Sequence, residues 1–156
     1  MKIHGSTPCD IALAAEENLT KMRVIFPTRN ACIVRVVEPV GEGVWQMAMT
    51  FRLGILKHET YERNLINSKE KYERLSRKNQ KYSHLSSWQS RDGFSRHGGA
   101  IVTTTGPILS IAGLTELPDE AVALGIAMSL NWIDKDSAVG IAKISRNNFF
   151  DSLIKI

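Results

Sequence analysis

The chain has 156 residues, 43% of them apolar, and carries 20 Lys and Arg against 16 Asp and Glu, a net charge of +4. That length fits a single domain, and that apolar content is enough for a core without disulfide or metal staples, which excludes global disorder. No apolar run is long enough to span a bilayer and none of signal-peptide length opens the chain, so the expectation is a soluble, cytoplasmic protein with no membrane partner.

Thr7 reads as a helix N-cap, with Pro8 at the first helical position and Asp10 at the third, where a carboxylate meets the positive end of the helix dipole. Ile11, Ala14, Ala15, Leu19 and Met22 recur at helical spacing, and the pattern breaks at Pro27, predicting three to four turns. Cys9 and Cys32 are too far apart in the chain for a redox or zinc-type pair, and both read as buried free thiols. The β-branched run 31–37, a turn at Gly41-Glu42-Gly43 and the alternating Trp45, Met47, Met49 and Phe51 predict an antiparallel hairpin whose second strand has one apolar face.

From Lys57 to Ser83 the chain is charged and free of Gly and Pro. It reads as a polar helix with a thin seam of Tyr61, Leu65, Tyr72 and Leu75, and with i,i+4 pairs Glu59–Arg63, Glu70–Arg74 and Glu73–Arg77. Residues 57–97 hold ten Lys and Arg against five Asp and Glu, so the basic excess is local. Residues 83–99 read as a loop of a length that is often functional. A second hairpin follows, from Ala100 through a turn at Thr105-Gly106-Pro107 to Leu114, and then an apolar helix opening at Pro118-Asp119-Glu120, whose two acids complement the helix dipole. Ser145 is a candidate cap for a short terminal helix. The expected fold class is α+β, an antiparallel sheet of two hairpins with flanking helices, covered on one face. It forms one domain over 1–156, with its core at about 8–133 and a C-terminal extension at 134–156.

The run Gly98-Gly99-Ala100-Ile101-Val102, the strand Gly106-Pro107-Ile108-Leu109-Ser110-Ile111-Ala112-Gly113-Leu114 and the helix start Asp119-Glu120-Ala121-Val122-Ala123 resemble the GlcG-like family. This family, also called haem-degrading or HbpS-like, includes the C-terminal domain of PduO-type adenosyltransferases. The resemblance implies a profilin-like fold, assembly as a homo-oligomer and, for some members, binding of haem or a corrinoid-related cofactor. The chain departs from that family in its charged segment 57–83 and in having His97 where the family has proline before Gly-Gly.

No G-x-S-x-G, H-E-x-x-H, Walker A or G-x-G-x-x-G motif is present, so the sequence names no reaction. His97, Gly98, Gly99 and His58 are the candidate cofactor-binding residues. His97 is the candidate metal ligand to haem, because Gly98-Gly99 would let a flat ligand approach beside it. Two functions from different classes follow. One is a small-molecule or cofactor-binding homo-oligomer, its ligand lying between the 83–99 loop and the sheet in a concave apolar pocket. The other is a regulatory interaction module whose basic helix 57–83 docks an acidic partner and sits beside an exposed apolar patch. Trp88, Phe94, Arg91 and Arg96 form a sparse mixture with no nucleic-acid motif around it, which argues against nucleic acid.

Overall fold

The computed structural model describes residues 1–156. Helix α1 (Pro8–Ile25) starts at the expected cap, and the cap is reciprocal: the Asp10 amide donates to Thr7 Oγ1 (3.1 Å) while Asp10 Oδ2 accepts from the Thr7 amide (2.7 Å). With 18 residues the helix is longer than the apolar stripe alone predicted, and its buried side is that stripe plus Asn18.

Strands β1 (Cys32–Gly41) and β2 (Val44–Leu53) pair as the expected hairpin, and β3 (Ala100–Val102) pairs with β4 (Ile108–Ala112) as the second. The two hairpins join through β1 and β4, giving one antiparallel sheet in the order β2-β1-β4-β3. The result is an α+β fold.

Helices cover both faces of this sheet, a correction to the single covered face expected. Cys32, Val34, Val36, Leu109 and Ile111 point toward α1 and the apolar helix α3 (Glu116–Ser129), forming the main core. Val37, Ala100 and Ile108 point the other way, toward Leu75 of the long helix α2 (His58–Tyr82). A strand buried on both sides reads as a continuous apolar run, which is what 32–37 shows apart from Arg35.

The single apolar face expected of β2 is also corrected. Val36 pairs with Met49 and Val37 with Met47, leaving Ala48 as an extra residue. One inserted residue inverts the side-chain alternation beyond it. Met49 and Phe51 therefore pack on the main core, whereas Trp45 packs with the α2-side cluster and Met47 receives a contact from Arg35 Nη1 at 3.1 Å.

The chain ends in α4 (Lys135–Ser145) and α5 (Asn148–Leu153). Asn147 caps α5, its Oδ1 accepting from the Phe150 amide; Ser145 closes the preceding helix instead. Phe150 and Leu153 are buried in the same core as α1 and α3, and Phe149 meets Phe26 edge-on at 5.6 Å. Phe150→Ala is expected to cost about 3–5 kcal/mol, the usual penalty for emptying a fully buried aromatic site. Urea denaturation would show it as a lowered midpoint with an unchanged slope.

Candidate functional site

Helix α2 carries the site's unusual feature. Its buried stripe is Asn64, Ser68, Lys71, Arg74 and Leu75, a helical period made almost wholly of polar residues. The expected seam residues Tyr61, Leu65 and Tyr72 are only half-buried beside it. Ser68 Oγ accepts from Arg35 Nε (2.6 Å), and its carbonyl accepts from Ser110 Oγ (2.7 Å), fixing α2 to the sheet.

Three residues on, Lys71 is 3% exposed; Nζ donates to the Ile111 carbonyl (2.7 Å) and to Asp119 Oδ2 (3.0 Å). Asp119 Oδ1 accepts from the Leu114 amide (3.0 Å), holding the turn between β4 and α3. Burial pushes the Asp119 carboxyl upward, opposed by Lys71 and by the Leu114 amide.

One turn further, Arg74 clamps the 83–99 loop. Nη1 donates to the Ser87 carbonyl (3.0 Å) and Ser90 Oγ (2.8 Å), Nη2 to the His97 carbonyl (2.7 Å), and Nε to Glu70 (2.9 Å). The expected Glu70–Arg74 pair thus forms, whereas Glu73 pairs with Lys69 instead of Arg77. The loop contains a 3-10 turn, Ser87–Ser90, capped by Ser86.

The four groups of the expected cofactor site do not converge. His97 lines a cavity of about 490 Å3 between the loop, the end of β4 and the start of α3, with Nδ1 3.4 Å from Glu116 Oε1. His58 lies elsewhere, 82% exposed at the first residue of α2 and 3.3 Å from Glu62. Gly98 and Gly99 serve packing inside the protein and leave no space for a flat ligand. A Cβ on Gly98 would stand 2.9 Å from Trp88 Cε3. One on Gly99, whose φ is +121°, would stand 2.8 Å from Lys71 Nζ, Asp119 Cβ and the Ile111 carbonyl. Gly99 lets the chain pass directly over the buried ion pair.

The cavity's geometry is that of a helix N-terminus. Thr115 makes no side-chain cap bond, and the Glu116 and Leu117 amides have no partner, since the first amides of a helix lack an i−4 carbonyl. Asn64 lines the same cavity at 6% exposure, while its Nδ2 is sealed beside Gly113 with no hydrogen-bond partner. An unsatisfied buried donor of this kind costs roughly 1–3 kcal/mol unless something accepts from it. The exposed Arg29 adds positive charge to the lining, while Lys71 is neutralised by Asp119. The site can therefore hold a negatively charged oxygen group. Trp88, Ala112, Leu117, Pro118 and Phe149 supply its apolar lining, so the pocket is concave and mixes apolar walls with charged and amide side chains.

Several expected features take structural roles. Arg91 stacks on Trp88, its Cζ 3.5 Å from the ring centroid, so that face of the indole is already covered. Thr103 Oγ1 donates to the Pro107 carbonyl and Thr105 Oγ1 to that of Trp132. Cys32 is buried, which pushes its thiol strongly upward, but Cys9 is exposed, contrary to expectation.

Asp119 and Glu120, explained from sequence by the helix dipole, are both buried with specific partners. Glu120 is fully buried and accepts from Ser86 Oγ (2.5 Å), Asn147 Nδ2 (3.0 Å) and Ser145 Oγ. It ties the loop to the C-terminal helices. Asn64, Lys71 and Arg74 were missed for a physical reason: polar residues at helical spacing read as a solvated face. The available signal was the i, i+4, i+7, i+11 spacing of Asn64, Ser68, Lys71 and Leu75 on one side of the helix.

No protein-family model, no curated protein and no solved structure matches the chain. No helix is long and apolar enough to cross a membrane. No group of three or more His, Cys, Asp or Glu side chains is placed to hold a metal ion.

Lys71→Met strands a buried carboxylate and is expected to cost about 3–5 kcal/mol, whereas Lys71→Met combined with Asp119→Leu recovers much of that loss. Equilibrium denaturation of the three proteins checks this. A second expectation concerns pH. Burial raises the Glu120 carboxyl above its ordinary 4.5. Between 4.5 and its folded value the native state then binds more protons than the unfolded state, so stability falls as pH rises through that window. Denaturation midpoints measured from pH 4.5 upward should fall less steeply in Glu120→Gln than in the wild type.

Proposed function

We propose that this protein binds a small molecule through an anionic oxygen group seated at the N-terminus of α3. The observation that carries the reading is the pair of unpartnered Glu116 and Leu117 amides at the start of α3, on a cavity of about 490 Å3 that Arg29 also lines. Aligned amides and the helix dipole favour negative charge at this position. The Arg74 clamp supports the reading, because it orders the loop that forms the cavity's outer wall and so lowers the entropic cost of binding. The order helix, hairpin, helix, hairpin, helix is in keeping with the GlcG-like resemblance of residues 98–123.

Haem fits these residues poorly. A porphyrin needs broad uninterrupted apolar walls, and this lining sets Arg29, Asn67, Lys71, Glu116 and Asp119 among its apolar side chains, with a single histidine whose Nδ1 faces Glu116. The reading therefore passes through no haem chemistry.

Amide NMR of the labelled protein, titrated at constant ionic strength with acetate and with inorganic phosphate, tests the proposal. At least one oxyanion should shift the Glu116 and Leu117 amides saturably, and Arg29→Gln should weaken that binding by removing the lining's free cation. Asn64→Leu should melt no lower than the wild type, since it removes an unsatisfied buried group. Absence of saturable shifts with either anion would sink the proposal, and a His97-dependent Soret shift with haemin would replace it with the haem reading.

A further inference from the structure

The two edges of the sheet are finished differently. At β3 the 83–99 loop serves as a cover: the Val102 amide donates to the Leu85 carbonyl (2.9 Å), and Ser86 bridges to Ile101. At the opposite edge β2 pairs with β1 alone, so the outward backbone groups of this ten-residue strand have no strand beside them. We propose that this free edge pairs antiparallel with β2 of a second copy of the chain, joining two four-stranded sheets into one of eight strands.

Unpaired N–H and C=O groups along an edge invite another strand, and edges that stay single are guarded by charge, proline or a cover. The run from Val44 to Phe51 holds neither a charge nor a proline. Val44 (55% exposed) and Met47 (43%) offer it apolar side chains, and Gln46 and Thr50 are exposed beside them. The extra residue at Ala48 bends the strand, but β2 stays paired with β1 on both sides of it. Main-chain pairing along such an edge supplies affinity, and the exposed side chains supply the choice of partner.

The partner follows from the two ends of the strand. Glu42 lies just before β2 and Arg52 near its end; both are exposed, and neither has an ion-pair partner in its own chain. At about 3.4 Å per residue they stand roughly 30 Å apart, too far to meet within one protomer. Antiparallel pairing about a twofold axis lays the start of one strand beside the end of the other. Glu42 of each copy then lies near Arg52 of the partner subunit, and the complementary contact forms twice. The uncharged centre brings no like charges together at the axis. A second copy thus satisfies the backbone edge and both stranded charges at once, independently of the cavity at α3.

Sedimentation of the full chain across protein concentrations up to about 500 μM tests the proposal, with a reversible monomer–dimer equilibrium in the micromolar range expected. Gln46→Lys places like charges close to the axis and should weaken the dimer at least tenfold. Arg52→Glu leaves only acidic side chains at both ends and should weaken it at least threefold. Adding Glu42→Arg to Arg52→Glu should restore most of that loss, a rescue that no contact within one chain can supply. These positions are exposed, so none of the changes empties the core. A wild type that stays monomeric throughout, a dimer indifferent to Gln46→Lys, or a charge swap without rescue would overturn the proposal.

Discussion

The buried pair of Lys71 and Asp119 is the constraint on which the rest of the structure turns. It joins α2, the last carbonyl-bearing residues of β4, the β4–α3 turn and the start of α3 through four groups within hydrogen-bond distance. Its cost is desolvation of two charges, offset only while both partners and the Ile111 and Leu114 backbone groups stay in place. Because Gly99 crosses directly above it, the same pair dictates how the 83–99 loop enters β3. A side chain at that position would meet Nζ and the Ile111 carbonyl together.

From this anchor, the polar stripe of α2 acts as a ribbon between helix and sheet. Ser68 binds Arg35 and Ser110 at one level, Lys71 binds Asp119 at the next, and Arg74 binds the loop at the third. A helix face built from hydrogen bonds and ion pairs gives less non-directional stabilisation than an apolar one, but each contact demands a particular geometry. The apolar work is done on the opposite face of the sheet, where α1, α3, α4 and α5 share one core. Glu120 connects the two regions, reaching from α3 to Ser86 in the loop and to Ser145 and Asn147 near the C-terminus. The loop wall of the cavity is thus held from α2 by Arg74 and from α3 by Glu120.

That arrangement explains why polar groups reach the cavity although α3 is apolar beyond Asp119 and Glu120. The cavity lies where three chain features end: the C-terminal edge of β4, the N-terminus of α3 and the ordered loop. Chain ends expose backbone donors, and no side chain of this protein caps the Glu116 and Leu117 amides. Asn64 lines the cavity from α2 with its Nδ2 packed beside Gly113, where a Cβ would stand 3.3 Å from that nitrogen and 2.6 Å from the Ala31 carbonyl.

The sequence alone determined the local elements, since those follow from short-range signals. Thr7, Pro8 and Asp10 announce the first helix, the β-branched run announces β1, and turn residues separate the hairpins. His97, singled out in the sequence, lies in the wall of the cavity. Tertiary structure decided everything that depends on which face meets what. The Ala48 bulge inverted half of β2, an event invisible to a pattern of period two. Polar positions 68, 71 and 74 became interior because their partners, Arg35, Ser110, Asp119 and the loop carbonyls, are distant in the chain. A charge reads as solvent-facing until the opposite charge that permits its burial is brought to it, and only the folded chain does that.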